Sequence, residues 1–130
     1  MSDGSPITGI IIKGDGRGRA LGFPTANLQL TQPTSFSPGV YAGWAHLNDD
    51  TTWYRGAIHI GPRPTFLGAS ATVEVHLLDF HDRDLYGQTL TCTNVTYLRP
   101  VKKFESVEAL VAAIQADCDE VRRILKQPLG

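Results

Sequence analysis

"TVEVHLLD", Thr72 to Asp79, decides what kind of fold this chain adopts. Val73, Val75 and Leu77 fall on one side of an extended backbone; Thr72, Glu74, His76 and Leu78 fall on the other. Alternation with a period of two is the mark of a strand, whereas a helix repeats its apolar residues at three and four. One face is aliphatic. The other carries a carboxylate and an imidazole, so this strand is buried on one side only.

Similar runs lie on both sides of it. "ITGIII" (Ile7–Ile12), "GVYAGWAHL" (Gly39–Leu47) and "TWYRGAIHI" (Thr52–Ile60) read as strands, the last two joined by a hairpin turn at "NDDT", Asn48 to Thr51. "QTLTCTNVTYL" (Gln88–Leu98) follows the turn "HDRDLYG", His81 to Gly87. Its apolar phase breaks: Leu90 and Cys92 share one parity, Val95 and Tyr97 the other, which predicts a bulge near Asn94. Asp15 to Asn27 reads as a Gly-rich loop, Gln29 to Pro38 as a polar, turn-rich run, and Gly61 to Ala71 as a long loop. "SVEALVAAIQADCDEVRRILK" (Ser106–Lys126) is the one helix. Val107, Leu110, Val111, Ile114, Cys118, Val121 and Leu125 form its apolar stripe, with Ser106 as N-cap, Glu108 near the start, and Arg122, Arg123 and Lys126 near the end. Five or six short strands and a terminal helix predict a mainly β, mostly antiparallel domain. A sheet this small hides its edges by closing into a barrel, with the helix on the wall or over one end.

Composition narrows the function. A chain of 130 residues suits one domain, residues 1–130, with 1–6 as a flexible tail. Twelve Lys and Arg against thirteen Asp and Glu leave a net charge of −1, which argues against a general nucleic-acid or membrane-surface binder. Local basic clusters at Lys13/Arg17/Arg19 and Arg99/Lys102/Lys103 suit a small anionic ligand better than a polymer. Cys92 and Cys118 form no CxxC pair, so both are expected to be reduced core residues. No run approaches the length of a membrane span and no signal-peptide pattern opens the chain, so a cytoplasmic location is expected.

Three stretches carry possible chemistry. "GDGRGRALG" (Gly14–Gly22) is neither a dinucleotide fingerprint nor a Walker loop. Its backbone N–H groups and arginines can wrap phosphates, or it can be a surface turn. In "PTAN", Pro24 to Asn27, extended residues two apart point the same way. Thr25 and Asn27 can offer a hydroxyl and an amide oxygen to one hard cation, or cap a turn through local hydrogen bonds. Glu74 can be a base at a cleft wall with His76 beside it, or both can be solvated residues on the open face.

The ordered set "GDGRGRALGFPTANL", "GVYAGW", "IGPRPTF", "VEVHLLDFHDRDLYG", "LRPVKKF" and "SVEALVAAIQADCDEVRRIL" closely resembles the riboflavin kinase family, found in many bacteria as the C-terminal module of a bifunctional riboflavin kinase/FAD synthetase. The likeness runs from about Ile10 to Leu125. It implies a six-stranded Greek-key barrel with a C-terminal helix. It also implies conversion of riboflavin and ATP to FMN and ADP with Mg²⁺ or Zn²⁺. By that resemblance Glu74 is the catalytic base, Thr25 and Asn27 bind the metal and phosphates, and Gly14, Gly16, Gly18 and Arg19 close on ATP. Leu77, Asp79, Tyr86, Arg99, Lys102 and Phe104 are nominated for the flavin side. A monomer is expected.

His59 and Pro62 depart from the family pattern, which carries Asn at the first position and a Thr-like residue at the second. Two other expectations follow. The chain can be the kinase module of a bifunctional protein, or a flavin- or nucleotide-binding module that has lost catalysis and serves regulation or a partner.

Overall fold

The computed structural model describes residues 6–13, 22–48, 50–61, 72–80 and 84–126. Six strands precede one helix: β1 (Ile7–Ile12), β2 (Ala26–Leu30), β3 (Gly39–Leu47), β4 (Trp53–Ile60), β5 (Val73–Leu77), β6 (Thr89–Arg99) and α1 (Val107–Ile124). They close a barrel in the order β1-β2-β5-β4-β3-β6, every pair antiparallel. Strands β3, β4 and β5 are consecutive neighbours and β6 returns beside β3, which is the Greek-key connection. Closure gives every strand two partners and leaves no edge open.

The lumen is filled by the inward parity of each strand. Ile7, Ile11, Leu28, Leu47, Ile58, Ile60, Val73, Val75, Leu90 and Cys92 form one apolar cluster. Burial pushes the Cys92 thiol up to about 12, so it stays protonated and inert. Strand β3 is buried on both faces because its outer side, at Ala42 and Trp44, lies under the helix.

The bulge expected near Asn94 is present. Ala42 faces Thr96 and Trp44 faces Thr93, so Asn94 and Val95 together oppose Gly43. Asn94 takes the left-handed conformation at φ 54°. A Cβ on Gly43 would come within 2.9 Å of Ile58 Cδ1, so glycine there lets the strands close over the lumen.

One strand differs from the sequence reading. Ala26–Leu30 is β2, where a loop running into a polar segment was expected. Ala26, Leu28 and Leu30 do alternate inward against the core, but five residues after a Gly/Pro-rich stretch carry too few apolar positions to announce a strand. Residues 14–21 of the expected Gly-rich loop, most of the Gly61–Ala71 loop, and the expected N-terminal tail apart from Pro6 lie outside the described residues.

Helix α1 begins as expected: Ser106 Oγ accepts from the Ala109 N–H at 3.1 Å. Its end is held by a residue from the barrel. Arg55 on β4 donates to the carbonyls of Leu125 and Lys126, and its guanidinium lies 5.1 Å from the centre of the Trp44 ring. The apolar stripe divides in two. Cys118, Val121 and Leu125 seat on Ala42, Trp44 and Leu78. Toward the N-terminus the helix leaves a cleft against the barrel, lined on its side by Leu110 and Ile114, and Val107 is exposed. No described helix is long and apolar enough to cross a membrane.

Candidate active site

Cross-strand register assembles the site. Ile12 on β1 pairs with Asn27 on β2, Asn27 with Glu74 on β5, Glu74 with His59 on β4, His59 with Val40 on β3, and Val40 with Arg99 on β6. Directly opposed residues point to the same face of a sheet. A single row on the outside of the barrel therefore carries an amide, a carboxylate, an imidazole and a guanidinium. The Glu74 carboxylate sits between Asn27 and His59, half-buried.

The segment before β2 is tied to β5 at two points. His76 Nδ1 lies 2.8 Å from the Pro24 carbonyl oxygen. Thr25 Oγ1 approaches Glu74 Oε1 at 3.4 Å, long for a hydroxyl–carboxylate bond, so neither group is committed to the other. Phe23 sets its ring edge-on to the His76 ring at 5.7 Å. The Thr25 hydroxyl lies beside the Glu74 carboxylate, and Asn27 is its partner across the strands. Among the described residues no cluster of three or more His, Cys, Asp or Glu could cage an ion. That donor set fits a hard cation that takes a few protein oxygens and completes its shell from water and phosphate.

Two cavities flank this segment. One, of about 470 Å³, is lined by Ile11, Leu77, Asp79, Phe80, Asp84 and Tyr86 among others. The second, of about 370 Å³, lies between the barrel wall and α1, with Phe23, His59, Glu74, Arg99, Phe104 and Ile114 in its lining. Thr25 and His76 line both and form the wall between them.

In the second cavity Arg99 makes a bidentate ion pair with Asp117 of α1, 2.8 Å at each nitrogen. The hydrogen bonds to Asp117, which its charge reinforces against partial burial, hold the Arg99 guanidinium above its ordinary pKa. Arg99 and Lys102 also lie near the Phe104 ring, at 5.8 and 5.5 Å from its centre. On the other side, Asp79 is exposed and bonded to Arg122 at 3.1 Å, and the Asp84 carboxylate accepts from the Tyr86 N–H at 3.0 Å.

The structure brings Thr25, Asn27 and Glu74 together. It divides the six residues nominated for the flavin: Arg99, Lys102 and Phe104 line the cleft under the helix, while Leu77, Asp79 and Tyr86 line the other cavity. Gly14, Gly16, Gly18, Arg19 and Pro62 lie outside the described residues. Sequence reasoning missed Asp117 and Phe23. Asp117 reads as a residue of the helix's polar face; its only signal was that a half-buried arginine needs a counter-charge. Phe23 was read only as part of a loop.

A carboxylate in one cavity, beside a wall shared with a second, suits transfer of a group between two small molecules. A family model for riboflavin kinase (flavokinase) matches residues 4–125. The chain is 36% identical over 125 residues to riboflavin kinase of Homo sapiens, covering 92% of this chain and 80% of that protein. It is 38% identical over 123 residues to a bifunctional riboflavin kinase/FMN adenylyltransferase of Listeria monocytogenes, covering 92% of this chain and 38% of that one. The crystal structure of riboflavin kinase from Trypanosoma brucei superposes with a TM-score of 0.71 at 25% identity, covering 95% of this chain and 80% of that one. The chain belongs to the riboflavin kinase family.

Proposed function

We propose that this chain transfers the γ-phosphate of ATP to the 5′-hydroxyl of riboflavin, giving FMN and ADP. The observation that carries the reading is the position of Glu74, in register with Asn27, 3.4 Å from Thr25, and lining the cleft that Thr25 and His76 separate from a second cavity. Phosphoryl transfer asks for placement and charge neutralisation more than for covalent help. The cleft under the helix, with Phe23, Phe104, Leu110 and Ile114, offers flat apolar surfaces for the isoalloxazine ring, and Arg99 and Lys102 offer donors at its rim. We assign Leu77, Asp79 and Tyr86 to the nucleotide side, because they line the cavity across the wall.

Glu74 accepts the proton of the attacking hydroxyl, a role that contributes roughly two to four orders of magnitude in rate. Thr25 and Asn27 would hold Mg²⁺, which when bound would neutralise charge on the phosphate oxygens. Mg²⁺ is preferred over Zn²⁺ because the donors are hard, neutral oxygens. Gly14, Gly16, Gly18 and Arg19 would complete the phosphate site. Free, buried Cys92 and Cys118 suit a reducing compartment, and we take the enzyme to be a cytoplasmic monomer.

The test is to strip the protein of metal with a chelator, supply riboflavin and ATP with Mg²⁺ or Zn²⁺, and follow FMN by chromatography. FMN with Mg²⁺ is expected. Flavin that binds without FMN formation under either metal would favour the non-catalytic module. In a Thr25→Ala or Asn27→Ala variant, calorimetry is expected to show weaker Mg–ATP binding, and unchanged affinity in both would return PTAN to a capping role.

A further inference from the structure

His76 is left over once Glu74, Thr25 and Asn27 have their roles, yet with Thr25 it forms the wall between the two cavities. Its Nδ1 lies 2.8 Å from the Pro24 carbonyl oxygen. A carbonyl can only accept, so Nδ1 carries the hydrogen. A neutral imidazole has one N–H, which leaves Nε2 with a lone pair and no proton. Phe23, edge-on to the ring, holds it in that orientation. Nε2 has no bonding partner among the described residues and is not one of their buried orphan atoms, so it opens toward the cavities. Its cross-strand neighbour on β4 is Ala57, whose methyl leaves room above the ring.

Water satisfies an acceptor open to the cavities until a bound ligand offers a donor in its place. The phosphate oxygens of ATP carry no proton to give and repel a lone pair. The polyol chain of riboflavin is a row of O–H donors, and it must run to Glu74, two residues away on the same face of β5. Building on the kinase reading above, we infer that His76 is a positioning residue with two duties: Nδ1–H fixes the Thr25 segment on the nucleotide side, and Nε2 accepts a hydrogen bond from a polyol hydroxyl next to the one that reacts.

Two substitutions separate the duties. In His76→Asn the amide N–H falls near Nδ1 and keeps the bond to Pro24, but nothing replaces Nε2. In His76→Gln the amide oxygen falls near Nε2 and the bond to Pro24 is lost. The Asn variant is expected to raise the riboflavin KM about tenfold and leave the Mg–ATP KM within about twofold, as loss of one hydrogen bond predicts. The Gln variant is expected to show the reverse. Wild-type enzyme is expected to use a 4′-deoxy riboflavin about tenfold less well than riboflavin, and the Asn variant to treat the two alike.

Wild-type FMN formation decides the kinase reading first, and the KM pattern then decides this inference alone. If both constants rise together in both variants, His76 merely packs the wall and the inference fails. Should the Asn variant not fold, equal use of riboflavin and the 4′-deoxy analogue by wild type overturns the acceptor role, and unequal use supports it.

Discussion

The two faces of β5 do different work with the same five residues. Inward, Val73, Val75 and Leu77 are buried in the barrel lumen, and Val75 and Leu77 also reach the first cavity, whereas Val73 touches neither. Outward, Glu74 and His76 are half-buried, tied to the segment before β2, and line the cleft. Stability and chemistry alternate residue by residue because a strand sends successive side chains to opposite faces. The helix makes the same division along its length. Its C-terminal half seats on the barrel, and its N-terminal half forms a cleft wall.

The sharpest way to break that comparison is Glu74→Gln. Turnover is expected to fall by roughly 10²–10⁴ with ATP binding retained, since the amide keeps the shape and loses the base. Turnover near that of wild type, measured as FMN released, would remove Glu74 from the chemistry. The inner face predicts the opposite profile. Val73→Ala leaves a cavity in the lumen and is expected to cost about 2 kcal/mol of stability. That is a drop in melting temperature of roughly 5–10 °C, with both KM values unchanged. A changed riboflavin KM in a folded Val73→Ala protein would mean that the two faces are not separable.

A smaller effect is expected across the cleft. Asp117→Asn keeps the shape and removes the charge that holds Arg99. The riboflavin KM is expected to rise several-fold, up to about tenfold, because the guanidinium loses a charge-assisted pair. The turnover number is expected to hold; an equal fall in turnover number and in kcat/KM would instead tie the pair to the transition state. The smallest effect belongs to His59→Asn. His59 stands opposite Glu74 with its Nδ1 buried and unpartnered, and the asparagine amide sets a polar atom near the same place in less volume. Turnover is expected to stay within about twofold of wild type or to rise. A collapse would mean that this chain has built the imidazole into its own version of the site.

Much of the fold could be read before any coordinates. β1 and β3 fall on the runs expected for them, β4, β5 and β6 within a residue or two, and the break in phase at Asn94 is a bulge. The helix starts after Ser106 as expected. Strand β2 escaped because only five residues alternate there and their outward positions serve the site. The partial seating of α1 escaped too. A stripe at three and four spacing tells which side of a helix is apolar, and it cannot tell whether a wall or a cleft lies beneath.

By itself the sequence determined the period of each element, the parity that faces the lumen, and the residue types able to bind oxygen-rich ligands. Those properties depend on bonds and side chains a few residues apart. Only the tertiary structure decided that Asn27, Glu74, His59, Val40 and Arg99 form one row, since each neighbour in it comes from a different strand. Only the closed barrel put Thr25 and His76 on the wall between two cavities, and only docking of α1 set Asp117 against Arg99. Register between distant strands is fixed when the whole lumen packs at once, because a shift of one residue would turn every buried side chain outward.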